Sequence, residues 1–354
     1  MTTMPEKSKI QYLDILRTLA TIGVIIIHTS SPVLNMAYGH SMSEWWVGNI
    51  FDSASRFAVP LFLMLSGATL LGKEYPLAVF FKKRMMRVLV PFLFWMFVYW
   101  VYRWLMLLPQ QQPQKLDEII QWAVKLFLDE GISKHFWYIY MIIFIYLFIP
   151  FIGKVVRKAS EKQLFFALLA WMLLCFTTSS MNLSFYKWTG DYEYKLLGYL
   201  QYSGFVVLGY FLNKMEIKFS KRRLVAGVTY VLSVVFCALA AYYMSKSDGR
   251  LNLKVYSYFS INTIIQAVAI FVLIKGIVTE NNFLSKICSI ISDYSYGIYL
   301  VHIIIIGVLF RNGIYWSFAH PIVSLPLLLL MVLLSSMIVI FFIRKIPGGK
   351  YISG

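Results

Sequence analysis

Charged residues are scarce in this 354-residue chain: Asp, Glu, Lys and Arg make up 14% of it, against about 25% in soluble domains. Acids are scarcer still, 16 against 33 Lys plus Arg, for a net charge of +17. Cysteine is limited to Cys175, Cys237 and Cys288, with no CxxC spacing, which excludes a disulfide framework and a cysteine-built zinc site. A GxSxG elbow, an HExxH pair and a phosphate-binding glycine loop are all missing, so the familiar soluble-enzyme signatures do not apply. No metal is expected. Any chemistry rests on histidine, arginine and hydroxyl groups.

What the chain has instead is apolar surface. It is 59% hydrophobic with a mean hydropathy of +0.69, and the apolar residues come in blocks of roughly 17–25, the length of a membrane helix. The reading is an all-α integral membrane protein, a bundle of about ten transmembrane helices forming a single domain over 1–354. The spans fall near 13–33, 49–71, 87–108, 136–153, 164–181, 196–212, 224–244, 255–275, 294–311 and 321–343. About 21 of the Lys and Arg residues lie at the N-terminal side and in every second connection, whereas the other loops hold about 10 against about nine acids. That asymmetry puts both termini in the cytosol. The excess charge needs no nucleic-acid partner, and the location is the inner (cytoplasmic) membrane, multi-pass. The stretch "SSPVLNMAYGH" after the first block lacks a small-x-small cleavage site, so that block reads as a retained span.

The longest outer connection, Pro109 to His135, opens with a Gln/Pro linker and continues as "LDEIIQWAVKLFL", whose apolar spacing predicts an interfacial helix. It is open to reading as a surface helix or as a lid over an outer-facing site. No inverted pair of broken helices is visible, which counts against a transporter.

The polar residues inside the spans point to function, since an ionisable group in the membrane is a functional-site hypothesis by default. Arg17 and His28 are eleven residues apart, within about 20° of three full turns, hence on one face and about 16 Å apart along the helix. Asp14, three residues before Arg17, shares that face and pairs with it. In span two, Arg56 lies near the depth of His28, with Asp52 one turn away; Pro60 and Ser66-Gly67 permit a kink or close approach. The basic cluster Lys82, Lys83, Arg84, Arg87 precedes span three, and Arg84 and Arg87 at i and i+3 suit phosphate binding, with anionic lipids as the other reading. "HFWYIY" brings His135, Trp137 and Tyr138 to the outer end of span four, and "SYGIYLVH" carries Tyr299 and His302 toward mid-membrane.

In order, the R-x10-H of Arg17 and His28, "PLFLMLSG", the R-x-x-R of Arg84 and Arg87, "HFWYIY" and "SYGIYLVH" resemble the acyltransferase-3 family of ten-helix membrane acyltransferases. The likeness covers essentially the whole chain. "SASRFAVPLFLMLSG" is most similar to the standalone glycan O-acetyltransferases of the enterobacterial common antigen type. The resemblance implies transfer of an acetyl group from cytosolic acetyl-CoA to a hydroxyl of a surface or lipid-linked glycan at the outer face. It makes Arg17 and His28 the essential span-one pair and Arg84 and Arg87 the donor-site arginines. The extra extracytoplasmic SGNH-type domain of many relatives is not seen here. The expected partners are acetyl-CoA, a glycan or lipid-linked saccharide acceptor and membrane lipids. No cofactor is held permanently, and homo-oligomerisation stays open. His28 serves as general base or as the site of an acyl intermediate, and Arg56 as oxyanion support. The alternatives are a transporter or flippase for a glycan or its lipid carrier, and an assembly partner in a polysaccharide machine.

Overall fold

The computed structural model describes residues 6–106, 115–128, 132–180, 198–216, 220–277 and 282–354. They form helices with no strand among them: α1 (Glu6–Ala37), α2 (Met42–Ser55), α3 (Ala58–Leu70), α4 (Leu77–Met106), α5 (Leu116–Leu128), α6 (Trp137–Lys158), α7 (Glu161–Ser180), α8 (Ser203–Lys214), α9 (Arg222–Ser247), α10 (Ile261–Ile274), α11 (Asn282–Arg311), α12 (Pro321–Lys345) and the short α13 (Gly349–Ile352). Among the described residues, eight helical stretches are long and apolar enough to cross a membrane. They coincide with eight of the ten expected spans. The other two, 164–181 and 196–212, correspond to α7 and α8, and parts of both lie outside the described residues.

An open helical ladder is costly in lipid, so each span closes its hydrogen bonds internally. Prolines occur inside α1 (Pro32), α4 (Pro91), α6 (Pro150) and α12 (Pro326) without ending those helices. Span two differs from the expected single helix. It begins at Met42 and breaks at Arg56–Phe57 into α2 and α3. The cause is Pro60, which has no N–H for the carbonyl of Arg56 four residues earlier. The break turns the end of α2, and Arg56 with it, into the bundle.

Apolar burial gives little net drive between helices already in lipid, so close packing and interhelical hydrogen bonds must hold them. α1 sits centrally, against α2, α3, α11 and α12. It runs parallel to α11: Thr18 Oγ1 donates to the Cys288 carbonyl (3.0 Å) at one level, and the rings of His28 and His302 lie 5.1 Å apart further along. α3 and α8 cross at backbone contact. A Cβ on Gly67 would fall 1.7 Å from the carbonyl oxygen of Val206, and one on Gly209 1.9 Å from that of Met64. Lys275 Nζ donates to the carbonyls of Leu212 (2.6 Å) and Asn213 (3.0 Å), a cationic cap on the end of α8. The outer faces of the bundle are apolar. The most apolar window of α12 has a mean hydropathy of 2.8 yet is only 28% buried, a surface that suits lipid and not water.

α5 has the expected bounds, and its Trp122 ring packs 5.8 Å from both Trp100 and Trp104 of α4. The Gln/Pro segment before it, residues 109–114, lies outside the described residues. Cys175, Cys237 and Cys288 form no disulfide among the described residues.

Candidate active site

Because α1 and α11 run side by side, the polar face of one meets the polar stripe of the other. Arg17 Nη1 donates to Ser292 Oγ (2.9 Å), and that hydroxyl donates to Asp14 Oδ1 (2.6 Å); the direct Arg17–Asp14 separation is 3.8 Å. The serine therefore relays the ion pair between two helices. Ten residues along α11, His302 meets His28.

There the structure brings together three histidines from distant parts of the sequence. Ring centroids lie 5.1 Å apart for His28–His302, 5.2 Å for His135–His302 and 6.4 Å for His28–His135. His135 and His302 are fully enclosed, whereas His28 keeps partial exposure in the middle of the bundle and so borders internal space. Nδ1 of His302 lies 2.7 Å from the Tyr299 carbonyl. A carbonyl only accepts, so Nδ1 carries the proton and the neutral ring leaves Nε2 as an acceptor. His135 Nδ1 faces Ser133 Oγ at 2.7 Å, and the Tyr299 hydroxyl donates to the His135 carbonyl. The Nε2 atoms of both His135 and His302 are buried without a hydrogen-bond partner among the described residues. Buried polar atoms are normally satisfied, so these two are open to a ligand. Among the described residues no three His, Cys, Asp or Glu side chains are arranged to hold a metal ion.

Arg56 approaches His28 from the other side, close enough for its charge to act on the imidazole. Its Nη2 pairs with Asp52, which also accepts from Ser30 Oγ of α1 (3.3 Å), and its guanidinium lies 4.2 Å above the ring of Tyr256. Nε of Arg56 is left without a partner among the described residues. The pairing expected from the i, i+4 spacing thus forms, anchored on both α1 and the turn before α10.

A cavity of about 180 Å³ connects the remaining candidates. Arg17, Arg84 and Arg87 line it toward the basic end of the bundle, and Tyr138 and Tyr299 line it toward the histidines. Tyr299 packs at a tilt between Tyr138 (5.5 Å) and His135 (5.3 Å), so the cavity and the imidazole cluster share a wall. Trp137 points elsewhere, against Tyr202 and Tyr258. Lys82 and Lys83 are exposed and do not line the cavity; Lys82 lies on the face of α4 away from Arg84 and Arg87, whereas Lys83, at i and i+4 with Arg87, sits at the edge of theirs.

An R-x10-H helix, an R-x-x-R pair lining a cavity and a buried histidine cluster behind its wall have a match at the level of the whole chain. A family model described as an acyltransferase domain, acyltransferase-3, matches residues 10–344. The chain belongs to the acyltransferase-3 family. Curated proteins and solved structures yield no match. As a member of that family the protein is a membrane acyltransferase.

For this acyltransferase the arrangement offers a cationic cavity for an anionic donor, a partly open imidazole for proton transfer, and an arginine with a free Nε for developing negative charge. Several lining residues were not singled out in the sequence. Ser66, Tyr146, Ser295 and Asp293 line the cavity, and Tyr256 supports Arg56. On α11 a signal was available: Ser292, Ser295, Tyr299 and His302 follow one another at i, i+3, i+7 and i+10, a continuous helical stripe.

Proposed function

We propose that the protein transfers an acetyl group from cytosolic acetyl-CoA to a hydroxyl of a surface or lipid-linked glycan at the outer face of the cell membrane. The observation that carries this reading is the cavity with arginines at its basic end and Tyr299 at its inner wall, with the three-histidine cluster packed behind that tyrosine. Ten crossings with both termini cytosolic place that basic end inside, in keeping with the charge asymmetry.

Arg84 and Arg87 grip the phosphates of the donor, whose planar guanidinium partners suit phosphate oxygens. Arg17, held by Asp14 and Ser292, guards the passage beyond them. The acetyl thioester reaches the histidines. The acceptor oxygen attacks the thioester carbonyl carbon while His28 takes its proton, imidazole being the side chain whose ordinary titration range suits this at neutral pH. Arg56 Nε donates to the oxyanion that forms. Collapse of the tetrahedral intermediate breaks the C–S bond, and the leaving thiolate takes the proton back from His28. His135 and His302 bound the acceptor pocket; the open Nε2 of His302 accepts from a substrate hydroxyl group, and the open Nε2 of His135 pairs with another.

Purified protein in lipid, supplied with acetyl-CoA and a cell-envelope glycan fraction, is expected to release CoA thiol and to label the glycan. His28→Ala and Arg84→Ala are expected to lower turnover by about 100-fold or more, the scale of general acid–base catalysis. Variants that keep the wild-type elution profile and turn over at the wild-type rate would overturn the reading. Glycan movement independent of acetyl-CoA would establish the transporter instead.

A further inference from the structure

The cavity does not end at Arg84. A second pocket, of about 360 Å³, lies on the same three elements one to two turns further toward the basic end. On α3 the lining passes from Ser66 and Thr69 to Leu70 and then to Lys73 and Tyr75 in the loop beyond. On α6 it passes from Ile142 and Tyr146 to Ile149 and Lys154, and on α4 from Arg87 and Arg84 back to Phe80 and Leu77. Leu70 borders both spaces, so the second pocket continues the first.

Its charge is not neutralised from within. The one carboxylate lining it, Glu74, lies 3.3 Å from Arg157 Nη2, and Arg157 Nη1 donates to the carbonyls of Leu71 and Lys73 at 3.0 Å each. Arg157 is therefore committed to closing the end of α3 and fixing the loop that presents Lys73. Lys73, Lys154 and Lys158 line the pocket with no carboxylate partner among the described residues. The start of α4 after Pro76 adds the positive end of a 30-residue helix. Phe80 and Ile149 are buried beneath, and the Tyr75 ring, 5.7 Å from that of Phe80, offers an aromatic face. Three free ammonium groups over an apolar floor with one aromatic ring suit a phosphorylated nucleoside. The seven residues from Arg84 back to Leu77 span about 10 Å of α4, a distance one nucleotide bridges.

We propose that this pocket binds the 3′-phosphate and adenosine of the acyl-CoA donor, while Arg84 and Arg87 hold its pyrophosphate. The proposal rests on the acetyl-CoA reading above. A phospholipid headgroup carries the same phosphate chemistry, and the test separates the two. Initial rates are measured for acetyl-CoA and for 3′-dephospho-acetyl-CoA in vesicles of zwitterionic lipid, with and without phosphatidylglycerol. Wild-type protein is expected to show a KM about tenfold or more lower for acetyl-CoA, the scale of a lost charge-assisted contact. Lys73→Gln/Lys154→Gln is expected to abolish that preference, whereas Lys246→Gln, at the opposite end of the bundle, keeps it. A double variant with the preference intact overturns the proposal, and an altered response to phosphatidylglycerol alone assigns the pocket to lipid. If wild-type protein turns over neither donor, the acetyl-CoA reading itself fails.

Discussion

Nε2 of His302 is the buried atom whose removal best separates structure from chemistry. Nδ1 is spent on the Tyr299 carbonyl at 2.7 Å, while Nε2 faces the cluster without a partner among the described residues. Asparagine reproduces a donor near the position of Nδ1 and has nothing at Nε2. His302→Asn is therefore expected to change the unfolding midpoint little, since the bond it keeps contributes about 1 kcal/mol. Glycan transfer is expected to fall about 10- to 100-fold through kcat, with KM for acetyl-CoA nearly constant. Steady-state kinetics beside a thermal melt checks this; wild-type kcat in the variant would show that Nε2 has no part in the reaction. At this scale the sequence was informative where spacing alone decides. The eleven-residue interval placed Arg17 and His28 on one face, and the four-residue interval paired Asp52 with Arg56. The meeting of His28, His135 and His302 was not legible, because it depends on how three remote helices pack. Lys82 and Lys83 looked equivalent to Arg84 and Arg87 as a run of charge, but helical rotation sends Lys82 to another face, and Lys83, though on the same side as Arg87, does not line the cavity.

Among the elements, the segment after α12 carries no hydropathy signal, yet residues 349–354 dock between α4 and α11. Trp95 Nε1 donates to the Ile352 carbonyl (3.0 Å), and Arg344 donates through Nε to Ser353 Oγ (3.2 Å) and through Nη2 to the carbonyls of Asp293 (3.0 Å) and Gly354 (2.9 Å). Gly297 makes room, since a Cβ there would lie 2.4 Å from the Ser353 carbonyl oxygen. Gly354 and Asp293 both line the donor cavity, and Tyr296 Oη donates to the Val88 carbonyl beside Arg87 (2.8 Å). The segment thus acts as a strap holding the arginine-bearing helix to the serine stripe of α11. Hydropathy could not show this, because the docking uses backbone carbonyls and the space left by glycine, neither of which has a hydropathy signal. Arg344→Met removes the strap's cationic hub and keeps side-chain bulk. It is expected to raise KM for acetyl-CoA about tenfold with a smaller effect on kcat, equivalent to about 1.4 kcal/mol of lost donor binding. Arg344→Lys keeps the charge but cannot make the forked contacts, so a KM raised as far as in Arg344→Met would assign the effect to geometry and a wild-type KM would assign it to charge. An unchanged KM in Arg344→Met would show that the strap is only a brace.

For the whole molecule, the consequence of joining a basic mouth to a central histidine cluster is direction. Helical class and eight of the ten expected spans were readable from composition because lipid imposes length and apolarity on every span, whereas the break at Arg56–Phe57 depends on one missing N–H at Pro60. Arg84, Arg87, Lys73 and Lys154 all open toward one end, and the proposed donor would enter there. Proteoliposomes with the protein in a single orientation, selected through a biotinylated Lys350→Cys, test this. Acetyl-CoA does not cross the bilayer, so it can be supplied to the Lys350 side or to the opposite side, with the envelope glycan fraction across the membrane. CoA thiol release and glycan labelling are expected only with the donor on the Lys350 side. Equal rates from both sides would mean that the donor reaches the histidines by another route, and the cavity at Arg84 and Arg87 would then lose its assigned role.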